Sequence, residues 1–181
     1  MPKRISNKSL LSRAGKIRLL ILDVDGVMTD GGIILDNDGN EYKAFHVRDG
    51  QGIKMLQREG IHVAIITGRN SSVVKRRADE LGIKEVYQKC HSKAAAYERL
   101  LKKIGVTDEE TACIGDDIVD IPLFKRSALP IAVADAAKEA KAEAVMVTES
   151  RGGRGAVREV TDFILKAKGL WKRILDDYLE A

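Results

Sequence analysis

Six short apolar runs recur along the chain, separated by longer stretches with helical spacing, and this alternation limits the fold more than any other feature. The runs are Ile17 to Val24, Gly60 to Ile66, Glu85 to Gln88, Thr111 to Ile114, Leu129 to Val133 and Ala144 to Val147. Continuous apolar runs of this kind suit strands covered on both faces. Helical patterns fill the gaps at Gln51 to Glu59, Ser72 to Leu81, Ser92 to Ile104, Asp135 to Ala142, Val157 to Ala167 and Leu170 to Leu179. Ser71 is a good N-cap, and Gly60, Gly82 and Gly105 are natural C-terminal stops. Ala96, Leu100 and Ile104 form an apolar stripe at i, i+4 spacing. The pattern predicts an α/β fold, a Rossmann-like parallel sheet flanked by helices and joined by right-handed crossovers.

One segment breaks the alternation. Gly31 to Phe45 holds two short β-prone arms around Asp36-Asn37-Asp38-Gly39-Asn40, and an Asp-Gly turn between such arms predicts a projecting β-hairpin. Its D-x-D-G piece is not a calcium loop, because the later ligand positions and the closing Glu are missing. With no repeat or linker, residues 1–181 read as a single domain.

Composition narrows the function. Of the residues 44% are apolar and 32% charged, as in an ordinary soluble protein. No run reaches the roughly 20 apolar residues that span a bilayer. Met1 to Lys16 is basic but lacks the apolar core of a secretory signal, so a cytoplasmic protein with no membrane partner is expected. A net charge of +4 helps recruit an anionic substrate. Nucleic acid is not the expected partner: Lys75, Arg76 and Arg77 are mixed with Asp79 and Glu80, and aromatics make up only 4%. Cys90 and Cys113 lack the spacing of a zinc site.

The chemistry lies at the ends of the runs, where open α/β sheets place their ligand crevice. Asp23-Val24-Asp25-Gly26 follows the first run. Two carboxylates so close together repel each other unless a cation lies between them, and a hard divalent ion, magnesium above all, fits. Gly115-Asp116-Asp117-Ile118-Val119-Asp120 ends another run with three more acids. Thr67-Gly68-Arg69 closes the second run, and Lys93 opens a helix. A hydroxyl, a backbone N–H beside glycine and an ammonium suit the non-bridging oxygens of a phosphoryl group. Either acidic cluster alone is as compatible with a solvated loop or a helix cap, and Lys93 alone reads as surface charge. Together, in one small chain, they point to function.

In this order, Asp23-x-Asp25-Gly26, Thr67, Lys93 and Gly115-Asp116-Asp117-x-x-Asp120 resemble the four motifs of the haloacid dehalogenase superfamily of phosphatases. The resemblance implies a nucleophilic Asp23 that carries a covalent phosphate, and an Asp25 that protonates the leaving alkoxide and then deprotonates water. It implies Mg2+ held by the Asp23 carboxylate, the Asp25 main-chain carbonyl and Asp116, with Asp117 or Asp120 orienting its waters or Lys93. Thr67 and Lys93 would neutralise the transferring phosphoryl group. The intervals between motifs leave no room for a cap domain.

The finer resemblance is to the 3-deoxy-D-manno-octulosonate 8-phosphate phosphatase family, carried by residues 23–31, by Val47-Arg48-Asp49-Gly50 and by Gly152-Gly153-Arg154-Gly155-Ala156-Val157-Arg158-Glu159. It implies a sugar-acid phosphate substrate on the route to lipopolysaccharide precursors, and a homotetramer whose hairpins associate. It also implies a C-terminal segment, about 150–181, that reaches a neighbouring site over a Gly-rich hinge, although Leu170 to Ala181 departs from the longer family tail. Arg69 suits the carboxylate of the octulosonate, whereas relatives acting on 2-keto-3-deoxynononate 9-phosphate carry Glu there. The alternatives are that nononate activity, a non-catalytic oligomerising homologue, or a phospho-accepting receiver, which lacks the second acid of D-x-D-G.

Overall fold

The computed structural model describes residues 5–180; residues 1–4 and 181, the two ends of the basic N-terminal stretch and the C-terminal segment, lie outside that range. The chain runs α1 (Asn7–Lys16), β1 (Leu19–Leu22), β2 (Ile34–Leu35), β3 (Glu41–Tyr42) and α2 (Val47–Arg58). It continues through β4 (His62–Ile66), α3 (Ser72–Leu81), β5 (Glu85–Tyr87), α4 (Lys93–Ile104), β6 (Thr111–Gly115) and α5 (Ile121–Phe124). It ends with β7 (Leu129–Ala132), α6 (Lys138–Glu143), β8 (Met146–Val147), α7 (Ala156–Ala167) and α8 (Trp171–Leu179).

Six strands form one parallel sheet in the order β5-β4-β1-β6-β7-β8. β1 is central, with Leu22 beside Ile65 on one side and Ile114 on the other. All four of its residues are buried, which is why the run shows no polar alternation. Each such Leu or Ile stabilises the fold by about 1.5–3 kcal/mol. The sheet grows outward from β1 in both directions, so the carboxyl ends of β1, β4 and β6 surround the point where strand order reverses. Ligands bind there in open sheets of this type. Helices flank the sheet: α7 packs against α1 and α2, while α5 packs against α4 and α6.

The expected parallel sheet and hairpin are both present. In the hairpin Ile34 pairs with Tyr42 and Leu35 with Glu41. The turn is held by Asp36, whose carboxylate accepts from the Asp38 and Asn40 amides at 3.0 and 2.8 Å. Only the hairpin and α2 separate β1 from β4, and only α3 and β5 separate β4 from α4.

Several elements differ from expectation. α1 was not apparent in the sequence because it is mostly polar; Ser6 caps it and Ala14 is its one buried residue. α2 begins at Val47 rather than Gln51. Gly50 and Gly52 weaken the helical signal there, yet tertiary contacts require them. A Cβ on Gly52 would lie 2.2 Å from Thr161 Oγ1, and one on Gly50 would lie 2.5 Å from the Arg77 guanidinium. The expected Asp135 to Ala142 helix is shorter and later, as α6. The acid-rich loop after β6 is not open: Ile118–Asp120 forms a 3-10 turn that runs into α5.

The Gly-rich stretch expected as a hinge is packed tightly. A Cβ on Gly152 would sit 1.7 Å from the Gly26 carbonyl oxygen, and the Gly153 amide donates to the Val27 carbonyl at 2.9 Å. This segment braces the loop after β1. Beyond it, α8 lies back on α2 of the same chain, where the Tyr178 hydroxyl accepts from Arg58 at 3.1 Å and Ile174 is buried.

Candidate active site

A cleft of about 450 Å³ opens at the carboxyl ends of the strands. Asp23, Asp25, Thr67, Gly68, Arg69 and Lys93 all line it, together with Cys90, His91, Ser92, Val119 and Pro122. The residues singled out as nucleophile, proton carrier, phosphate ligands and metal ligands therefore meet at one site, Asp116 included, with a carboxylate oxygen within 4.8 Å of those of Asp23 and Asp120, whereas Asp117 is exposed.

Asp23 follows β1 directly, and its amide donates to the Ile114 carbonyl at 3.2 Å, so the backbone holds it at the mouth of the sheet. Its side chain is only 9% exposed. Lys93, on the first turn of α4 behind the Ser92 cap, is equally buried and lies 3.0 Å from Asp23 Oδ1. The same ammonium donates to Asp120 Oδ1 at 2.6 Å. The other oxygen of Asp120 accepts from the Asp116 and Asp117 amides at 3.0 and 3.3 Å. Asp120 is thus the partner of Lys93 and the clasp of the β6 loop, while Asp117 accepts from the Ile118 amide and caps the 3-10 turn. This separates the two roles that the sequence left open.

The electrostatics follow from burial. Burial pushes the Asp23 carboxyl up to about 6, with Lys93 pulling it down and Asp120 adding to the rise. Asp116 is pushed up to about 7 by burial, then by the charges of Asp23, Asp120 and Asp117. For Lys93 burial works downward, but Asp23 and Asp120 outweigh it and its pKa is raised. One cation thus faces three acids, a site short of positive charge.

The donor set suits a hard divalent cation. Asp23, Asp116 and Asp120 each bring a carboxylate oxygen within 4.8 Å of the others. An all-oxygen set favours magnesium or calcium over softer metals. Both Asp120 oxygens are engaged as described, which leaves Asp23 and Asp116 as the carboxylates with capacity. Gly26 makes room for this: its φ is +87°, and a Cβ there would lie 2.1 Å from Asp116 Oδ2.

Thr67 is buried at the end of β4, where its amide donates to the Tyr87 carbonyl at 2.9 Å. Arg69 also lines the cleft and is about half exposed, with Nη2 3.0 Å from Glu41 and Nε 3.7 Å from Asp25. Sequence reasoning missed Glu41 and Lys43. Lys43 contacts Asp25 directly and Glu41 at 3.5 Å, and Ser71 donates its hydroxyl to Glu41. Charges on a predicted hairpin read as solvated. The available signal was their i, i+2 spacing, which puts both on one face of a strand.

Comparison with known proteins agrees with this geometry. The haloacid dehalogenase-like hydrolase family profile matches residues 82–160. The chain is 50% identical over 159 residues to the 3-deoxy-D-manno-octulosonate 8-phosphate phosphatase of Yersinia pestis, covering 88% of this chain and 85% of the relative. The corresponding Escherichia coli K12 protein is 48% identical over 160 residues, with the same coverage. A crystal structure of the Yersinia pestis phosphatase superposes with a TM-score of 0.90 at 48% identity, over 91% of this chain and 89% of that one. A Moraxella catarrhalis structure of the same kind of phosphatase, with magnesium, phosphate and a KDO molecule, gives a TM-score of 0.93 at 39% identity, over 96% and 99% of the two chains.

Proposed function

Since the chain belongs to the 3-deoxy-D-manno-octulosonate 8-phosphate phosphatases, a family of haloacid dehalogenase-like hydrolases, we propose that Asp23 opens its substrate's phosphate ester by direct attack. The protein is a magnesium-dependent phosphatase that hydrolyses 3-deoxy-D-manno-octulosonate 8-phosphate to the free sugar acid, a lipopolysaccharide precursor, and phosphate. The observation that carries the mechanism is the buried Asp23 carboxylate, held 3.0 Å from Lys93 beside the Asp116 carboxylate at the end of β1.

A carboxylate oxygen of Asp23 bonds to phosphorus as the bond from phosphorus to the sugar oxygen breaks. That bond's electron pair leaves on the alkoxide, which takes a proton from Asp25. Asp25 then accepts a proton from a water molecule that attacks the phosphorus, and the bond to Asp23 breaks, restoring its carboxylate. Lys93 and Thr67 carry the negative charge of the phosphoryl oxygens, with the Gly68 amide beside them. Magnesium would be held by the carboxylates of Asp23 and Asp116 and the main-chain carbonyl of Asp25. When bound it supplies the positive charge that lets an anionic nucleophile meet an anionic ester. Arg69 reads the carboxylate of the sugar acid; an arginine has five donors, so its contacts with Glu41 and Asp25 leave capacity for a third anion.

The chain acts as one phosphatase domain and assembles through its hairpin. Ile33, Ile34, Leu35 and Tyr42 are all more than half exposed there, an apolar surface that suits hairpin-to-hairpin contact in a tetramer. No helix among the described residues is long and apolar enough to cross a membrane. Both cysteines are free thiols, which suits a cytoplasmic site of action.

The test is phosphate release from the octulosonate 8-phosphate and the nononate 9-phosphate in parallel, with magnesium and with chelator. Magnesium-dependent preference for the octulosonate ester is expected, and Asp23→Asn should lower turnover by at least about 10⁴-fold. Preference for the nononate ester would overturn the role of Arg69. No release from any phosphomonoester would favour the non-catalytic homologue.

A further inference from the structure

The hairpin projects from the fold, yet one of its faces is built into the site. Glu41 and Lys43 point one way along the second arm and Tyr42 the other, as alternation in an extended segment requires. Tyr42 is exposed and donates to Asp36 in the turn at 3.0 Å. The Lys43 side chain is 1% exposed and meets the Asp25 carboxylate.

Its ammonium also lies 3.5 Å from Glu41, Glu41 accepts from Arg69 at 3.0 Å, and Arg69 Nε lies 3.7 Å from the second Asp25 oxygen. The four side chains close a ring, Asp25–Lys43–Glu41–Arg69, in which each lies against two others. Ser71 adds its hydroxyl to Glu41 and, as the N-cap of α3, ties the ring to the body of the fold. Glu41 is held ionised by these contacts: the Ser71 hydroxyl, then Arg69 and Lys43, lower its pKa against the effect of burial. Neither Glu41 nor Lys43 lines the cleft. Whatever they contribute passes through Asp25 and Arg69, which do.

A two-residue ladder is marginal by itself, so the ring and not the strand pairing fixes the hairpin to the site. A buried ammonium persists only when its pairing is good. An aspartate free to rotate would spend little time within reach of the leaving oxygen, and misplacement by about 1 Å can cost about 10²-fold in rate. We propose that Lys43, held in place by Glu41, is a positioning residue that fixes the Asp25 carboxylate for proton transfer, so that the hairpin is part of the catalytic apparatus. This rests on the reading of Asp25 as the proton carrier.

Leaving-group dependence tests it. A sugar alkoxide needs a proton as it departs; p-nitrophenolate does not. In Lys43→Met, which keeps the bulk and removes the charge, kcat/KM, which reports the steps up to departure of the alcohol, is expected to fall about 10- to 100-fold on a primary alkyl phosphate. The loss on p-nitrophenyl phosphate should be at least about tenfold smaller, with KM for the alkyl ester little changed and Lys43→Arg recovering part of the rate. Equal losses on the two esters, or no loss on either, would overturn the proposal. If Lys43→Met does not fold by circular dichroism, Glu41→Gln, which weakens the hold on Lys43, is read in the same way. A wild type inert on the octulosonate ester but active on other alkyl phosphates would sink only the substrate assignment, and the comparison then uses those esters. A wild type inert on every ester would overturn both.

Discussion

Removing the positive charge of Lys93 tests the electrostatic frame of the site most directly. Lys93→Met preserves the length and apolar stem of the side chain but leaves Asp23 and Asp120 facing each other. In the wild type these carboxylates lie 3.0 and 2.6 Å from the ammonium, and their side chains are 9% and 3% exposed. Taking one partner from a buried ion pair costs about 3–5 kcal/mol. For a domain of this size each kcal/mol moves the melting temperature by about 2–4 °C, so a drop of about 6–20 °C is expected in chelator near neutral pH. The drop must depend on pH. With Lys93 present the Asp23 carboxyl is already pushed up to about 6, above its ordinary value of 3.8. Without the cation it rises further, so the folded variant binds more protons than the unfolded chain. Stability is therefore lost as pH rises from about 4 through the raised folded pKa, and the penalty at about pH 5 is smaller than at about pH 8. Millimolar magnesium should restore part of the melting temperature without restoring activity, which falls by at least about 10²-fold. Thermal melts by circular dichroism across this range, with and without chelator, give the answer. A penalty equal at both ends of the range, or below about 2 °C, would refute the role of Lys93 as the neutralising charge.

Gly152→Ala places a methyl group 1.7 Å from the Gly26 carbonyl oxygen. Overpacking of that kind costs about 1–3 kcal/mol, and it should lower kcat as well as the melting temperature because the displaced loop carries Asp25. In the metal-free wild type the raised pKa values of Asp23 and Asp116, about 6 and about 7, make stability fall as pH rises from their ordinary value of 3.8 through that range. Magnesium binds the ionised carboxylates, so the gain in melting temperature on adding it should be larger at about pH 8 than at about pH 5.5; an equal gain would count against Asp23 and Asp116 as ligands. Deleting the 36–40 turn should lower the mass in solution by light scattering, and an unchanged mass would remove the hairpin from the assembly.

Much of this was legible in the residues. Buried parallel strands need apolar side chains on both faces, so β1, β4 and β6 could be read as continuous runs, and the acids, Thr67 and Gly68 that stop them mark the strand ends where a crevice forms. Capping worked in the same local way: Ser71 and Gly82 bound α3 at the residues expected. Local signals failed where a distant partner sets the outcome. The glycines in α2 weaken a helix unless Thr161 and Arg77 are known to fill the space beside them. Asp117 and Asp120 are alike in sequence, and only the fold brings Lys93 to one of them. Gly152 looks like a flexible hinge until Gly26 is found against it. Glu41 and Lys43 are 16 and 18 positions from Asp25, and no pattern within the hairpin says that one of its faces meets the cleft. Residue types and their order therefore specify the elements, the chemistry and the family, because those depend on near neighbours along the chain. Which charges are buried together, and which loop braces another, depends on segments far apart in sequence meeting in space, and that is settled only when the sheet closes around β1.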